Sequence, residues 1–194
     1  HLPVQSGSTR ILKLMKRSYD RGRYLDKIEM ARTAVPGIAV TTDIIVGFPG
    51  ETEEDFEQTL SLVEEVEYDS AYTFQYSPRA GTVAATMQEQ VPKHVVQERF
   101  ERLLKVQEAI SLRKNQQMLG TNVEVLVEGP SRKDPSKVSG RTRTNKLVHV
   151  PSEAPQGTFV EARITSASPH HLEGISVEAS PGLTAGPLQG SALG

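Results

Sequence analysis

Between Thr41 and Phe56 the chain permits few conformations. Ile44, Ile45 and Val46 form a short apolar run rich in β-branched residues, the pattern of a strand covered on both faces. Gly47, Pro49 and Gly50 stop that strand and let the backbone turn sharply. Thr52 can then cap a helix. Asp55, three residues on, has the spacing of a capping box with Asp in the place of Glu. In parallel α/β proteins, ligands sit where strands end and helices begin. The loop Gly47–Glu51 is therefore the first place to look for a cofactor.

The flanking sequence repeats the unit. His1–Ser8 reads as the end of a strand running into a polar loop, and Ser8 can cap a helix carrying Ile11, Leu12, Leu14 and Met15. Asp20 caps a second helix that ends at Pro36-Gly37. A strand covers Ile38 to Val46, and a helix from Glu53 to Val66 turns Phe56, Leu60, Val63 and Val66 to one side. The next strand, Ala71–Tyr76, ends in the polar loop Ser77–Thr82. A long helix runs from Pro92 to Met118 with Val96, Phe100, Leu103, Ile110 and Leu112 inward. Alternating strands and helices imply parallel strands with right-handed crossovers. After Gly120 the pattern becomes five short strands: Thr121–Glu128, Lys137–Thr144, Lys146–Val150, Thr158–Thr165 and Leu172–Val177. They predict a small all-β barrel of the oligonucleotide-binding sort. The fold class is thus α/β followed by an OB-like barrel. From Ser180 onward the aperiodic Ser, Pro, Gly and Ala content predicts a disordered tail over 180–194.

Three loops can converge at strand ends: Gln5–Ser8, Gly47–Glu51 and Ser77–Arg79. They offer hydroxyls, an amide, a carboxylate and a guanidinium, a set that suits a polar nucleoside-like ligand. Each loop alone is equally explained by turn chemistry, and Glu51 and the acids behind it by the charge preference of a helix start. Arg79 is an exposed loop charge or an anion contact. No metal set is expected, because His94, His149, His170 and His171 have no second ligand at a zinc-like spacing. The chain lacks cysteine, which removes disulfides, thiol catalysis and cysteine-ligated metal from this segment. No apolar run reaches the roughly 18 residues of a membrane span.

The overall charge of −2 hides a local excess. Ser131–His149 holds Arg132, Lys133, Lys137, Arg141, Arg143 and Lys146 against the single acid Asp134. Arg141 and Arg143 are expected to share one side of a strand. Such a strip on a small barrel is either a solvated face or the footprint of nucleic-acid binding. With only Phe159 aromatic on these strands, phosphate contact and shape reading are expected rather than base stacking.

The segments His1–Ser8, Ile11–Arg17, Thr42–Phe56, Asp69–Arg79 and Gly140–Lys146 together resemble the radical-SAM methylthiotransferases, over residues 1 to 179. Within that family they are most similar to the MiaB-type tRNA branch, which makes 2-methylthio-N6-isopentenyladenosine next to the anticodon. The resemblance implies that 1–116 is the C-terminal half of a radical-SAM partial (β/α) barrel and 117–179 a TRAM RNA-binding barrel. It implies S-adenosylmethionine (SAM) as cofactor, with two 4Fe-4S clusters whose ligands are absent from this segment. The segment is then expected to be inactive alone, and poorly soluble with its sheet exposed. By resemblance, Gln5, Ser6, Ser8, Ile45, Val46, Gly47, Glu51, Tyr76 and Arg79 bind the cofactor, and the six basic residues above bind RNA. The implied setting is a cytoplasmic, monomeric enzyme that meets a tRNA anticodon stem-loop and an electron-donor protein. Alternatives are a sibling acting on threonylcarbamoyl-adenosine tRNA or a ribosomal protein aspartate, and a non-catalytic RNA-binding module. The family usually has Pro where Ala80 and Val83 stand, which loosens the loop after Arg79.

Overall fold

A computed structural model describes residues 1–177; the tail expected from Ser180 lies outside the described residues. Strands β1 (Thr41–Val46) and β2 (Ser70–Gln75) pair in parallel, with Ile45 opposite Phe74. The segment Leu2–Gln5 runs along the other edge of β1. Its Leu2 N–H donates to the Thr41 carbonyl at 2.8 Å, and the Gln5 carbonyl accepts from Ile45 N–H at 2.9 Å. The expected first strand is thus an extended edge with one bridge, Gln5 to Ile44.

The helices are α1 (Thr9–Leu14), α2 (Arg21–Ala34), α3 (Glu53–Val66), α4 (Val83–Thr86) and α5 (Lys93–Gln116). Ile44 and Val46 of β1 join Phe56, Leu62, Val63, Tyr68, Leu103 and Ile110 in one core. At about 25 cal/mol per Å2 of apolar surface, burying each such side chain contributes about 1.5–3 kcal/mol. The expectation of a strand covered on both faces is corrected here. Burial alternates along β1, and Thr41, Asp43 and Ile45 are only partly buried, with Asp43 and Ile45 lining an open cavity. Tyr72 and Phe74 of β2 remain 52% exposed. The capping box of α3 is present in full, with Thr52 and Asp55 exchanging side-chain and backbone hydrogen bonds.

Beyond α5, strands β3 (Asn122–Pro130), β4 (Lys137–Thr142), β5 (Leu147–Pro151), β6 (Phe159–Ala167) and β7 (Leu172–Ser176) close a barrel in the order β3-β4-β5-β7-β6. All pairs are antiparallel except β5 with β7. Val125, Val127, Val138, Val148, Val150, Ala162, Ile164 and Leu172 fill its interior by strand alternation. Gly140 is required where β4 crosses β3, since a Cβ there would stand 2.3 Å from the Leu126 carbonyl oxygen.

The two parts meet along the end of α5, whose buried face carries Arg99, Gln107, Ser111 and Asn115 beside its apolar residues. Asn115 Nδ2 donates to the Ser168 carbonyl at 2.7 Å. Asp69, just before β2, receives Lys114 of α5 at 2.8 Å and Lys146 of the barrel at 3.5 Å. Removing this shared carboxylate leaves two half-buried ammonium groups side by side. Asp69→Ala is expected to cost about 1.5–3 kcal/mol, the value of hydrogen bonds to charged groups. Urea unfolding measures the loss, and limited proteolysis between Gln117 and Thr121 should accelerate with it.

Candidate functional site

The carboxyl ends of β1 and β2 carry the loops 47–51 and 77–82. Gly47 has φ 77°, and a Cβ there would lie 2.4 Å from Val96 Cγ2 on α5, so only glycine fits. Glu51 folds back beneath the loop. Its Oε1 accepts from Gly47 N–H at 3.0 Å and from the Arg99 guanidinium at 2.8 Å. The pair is almost sealed, with side chains 2% and 6% exposed. Burial pushes the Glu51 carboxyl up from its ordinary value, and the Gly47 amide and Arg99 pull it back. Arg99 also donates to the Glu51 carbonyl and to Glu53, each at 3.1 Å. Glu51 is thus occupied in holding the loop and does not face open space.

Ser6 and Ser8 are likewise buried. Ser8 Oγ accepts the Ile11 N–H as the cap of α1 and donates to Asp55 Oδ1 at 2.6 Å. Ser6 Oγ accepts from Ser8 N–H at 3.1 Å. Asp55 also receives Arg10 and the Thr52 hydroxyl. Burial pushes the Asp55 carboxyl up, but the hydrogen bonds from Arg10, Ser8 and Thr52 outweigh it and hold it well below the usual carboxylate range. The two serines therefore tie the first loop to the start of α3. Val46 is buried and belongs to the core.

The other expected cofactor residues do converge. Gln5, Ile45, Tyr76 and Arg79 line one open cavity of about 690 Å3. Its wall also contains Asp43, Phe48 and Phe74, which motif reading missed. The two-residue period of β1 could have found Asp43, which shares the face of Ile45. Gln5 has a φ of 70°, a left-handed backbone rare outside glycine. Tyr76 packs edge-on against Phe48 at 5.4 Å between ring centroids, and its Oη is buried without a hydrogen-bond partner. An orphaned phenol, a carboxylate, an amide, apolar rings and a guanidinium around such a volume fit part of a nucleoside site. An iron–sulfur cluster does not fit these residues. The chain has no cysteine, and among the described residues no three His, Cys, Asp or Glu side chains converge.

The basic residues of the barrel are dispersed. Arg143 lies in the turn after β4, not on the strand with Arg141 as expected, because β4 ends at Thr142 and Asn145 takes φ 62°. Four of the six are in ion pairs: Lys137 with Glu173 at 3.2 Å, Arg141 with Glu128 at 3.5 Å, Arg143 with Glu124 at 3.0 Å, and Lys146 with Asp69. Lys146 sits in the joint rather than on the open barrel surface. Arg132 and Lys133 are exposed and have no ion-pair partner among the described residues.

A parallel half-sheet with an open pocket at its strand ends, leading into a closed five-stranded barrel, corresponds to two known families. Residues 1–63 match the model of the Radical SAM superfamily, and residues 116–177 match the TRAM domain. The chain thus carries a Radical SAM superfamily segment followed by a TRAM domain. It is 54% identical to the tRNA-2-methylthio-N(6)-dimethylallyladenosine synthase of Moorella thermoacetica, over 92% of this chain and 40% of that protein. It is 57% identical to the protein of the same name from Caldicellulosiruptor saccharolyticus, over 90% of this chain and 37% of that one. The synthase 1 of Mycobacterium marinum is 53% identical, over 89% and 34%. The chain thus spans 40% or less of the length of these relatives.

Two stability predictions follow from the geometry. Arg99→Met leaves the Glu51 carboxyl buried without its cation and is expected to cost about 3–5 kcal/mol in urea unfolding. Asp55, with its folded pKa below its unfolded one, contributes stability that is complete above the ordinary carboxylate range and lost as pH falls through it. Unfolding followed from about pH 5 downward should show that loss in the unmodified chain. It should be weaker in Asp55→Asn, which is less stable at neutral pH.

Proposed function

We propose that this chain is the part of a tRNA-modifying radical-SAM methylthiotransferase that provides one wall of the SAM pocket and the RNA grip. The observation that carries the reading is the cavity at the ends of β1 and β2, in a chain that is 53–57% identical to the relatives above over 89–92% of its length. When bound in the complete enzyme, SAM and its iron–sulfur partner would supply radical chemistry, and this chain's own part is binding and orientation. Gln5 and Asp43 offer an amide and a carboxylate to the polar edge of a nucleoside. Ile45, Phe48 and Phe74 offer it an apolar wall and exclude water from one face. Tyr76 has an uncommitted hydroxyl, and Arg79 a guanidinium for an anionic group. Gly47 and Glu51 act from behind by fixing the loop. The barrel, chiefly through Arg132 and Lys133, adds phosphate contacts.

The complete enzyme would add a methylthio group at C2 of N6-dimethylallyladenosine next to the anticodon. It would work in the cytoplasm as a monomer, with a protein electron donor. Without cysteine, the chain by itself binds RNA and does not turn over. The test is mass spectrometry of isopentenylated tRNA treated with the full-length enzyme. A 2-methylthio product is expected, with none from residues 1–194 alone. A product only on threonylcarbamoyl-adenosine tRNA or on a ribosomal protein aspartate would overturn the substrate assignment.

A further inference from the structure

Side chains outside the barrel carry the least neutralised positive charge around any cavity of the fold. Lys16, Arg17 and Arg79 line the cavity described above, and Lys93 and His94 line an adjoining one that shares Gln75 and Tyr76 with it. The one acid in either lining is Asp43, which lies 3.4 Å from His1. Lys16, Arg17, Arg79 and Lys93 are exposed and enter no ion pair among the described residues. This contrasts with the barrel, where four of the seven Lys and Arg side chains are matched by carboxylates. A net-acidic chain that concentrates unpaired cations at one cavity mouth creates a local field for a polyanion.

The backbone fixes this rim. Helix α1 ends by a tight reversal in which Lys16 takes φ 57°, its N–H donating to the Lys13 carbonyl at 3.0 Å and the Arg17 N–H to the Leu12 carbonyl at 2.9 Å. The two cations therefore come from a closed turn anchored by buried Ile11 and Leu12, not from a loose loop. Leu14, Phe74 and Val83, which are 38%, 52% and 65% exposed, line the same cavity. Cations and exposed apolar and aromatic groups around one cavity suit a strand with charged phosphates and flat bases. They do not suit a regular duplex, whose bases are stacked inside.

We infer that Lys16, Arg17 and Arg79, extended by Lys93, form a second RNA-binding surface, which holds the phosphodiester backbone of a single strand across the mouth of the cavity. The inference rests on the reading of the chain as an RNA-binding part of a tRNA-modifying enzyme. It divides the grip: the barrel contributes Arg132 and Lys133, and the half-sheet contributes this rim.

The experiment measures binding of a short single-stranded oligoadenylate to residues 1–194 by fluorescence anisotropy over a series of salt concentrations. The rim variant is Lys16→Asn with Arg17→Ala, Asn being chosen because it tolerates a left-handed backbone. The charge-matched control is Arg23→Ala with Lys27→Ala on the exposed side of α2. The barrel variant is Arg132→Ala with Lys133→Ala. Circular dichroism melts verify that each folds. The rim variant should lower the slope of log affinity against log salt by up to about 1.4, about 0.7 for each phosphate contact on a single strand. The control should leave the slope unchanged. A fall with the barrel variant and none with the rim variant overturns this inference and leaves the RNA reading standing. A fall of equal size with the control makes the effect one of net charge and also overturns it. Absence of any RNA binding by the unmodified chain overturns both.

Discussion

The buried ion pair between Glu51 and Arg99 is the constraint on which the site depends. Without it, the loop 47–51 would be held only at its tip, where the Gly50 N–H donates to the Glu89 carbonyl at 2.7 Å and its carbonyl accepts from Arg10, and by the packing of Phe48 on Tyr76. With it, one carboxylate holds the Gly47 amide and one guanidinium reaches both Glu51 and Glu53. A glycine at φ 77° then lets α5 approach until Val96 touches the loop. Sealing two charges in this way costs desolvation and yields little net stability. Its return is a fixed loop conformation at the mouth of the cavity.

The same helix links pocket and barrel. Arg99 sits near the start of α5 and Asn115 at its end, and the 24 residues of the helix span about 36 Å at 1.5 Å per residue. At the far end, Asn115 holds the β6–β7 turn while Lys114 and Lys146 share Asp69. A single helix therefore links the pocket to the barrel. The polar residues on its buried face are the joints, and Leu103 and Ile110 are the filling between them.

Much of this was legible in the residues. The capping box of Thr52 and Asp55, the five barrel strands and the end of α3 at Val66 all follow from local pattern, because caps and two-residue alternation are local physics. The pocket was legible only in part. Gln5, Ile45, Tyr76 and Arg79 do share a cavity, but Ser6, Ser8 and Glu51 look like ligand groups in sequence and are spent on internal hydrogen bonds. Their partners, Asp55 and Arg99, lie 47 and 48 positions away, beyond any local pattern. The strip of basic residues failed for the same reason: its neutralising acids, Glu124, Glu128 and Asp69, come from other strands and from the other half of the chain. A run of like charge in sequence is not a field in space until the opposing side chains are known.

The most direct measurement of the central claim is amide hydrogen exchange of residues 1–194 with and without S-adenosylhomocysteine, a nucleoside probe that needs no iron–sulfur cluster. The account predicts added protection at Gln5, at Ile45 to Phe48 and at Tyr76, with the barrel unchanged. Protection confined to the barrel, or none at the ends of β1 and β2 at saturating probe, would contradict it.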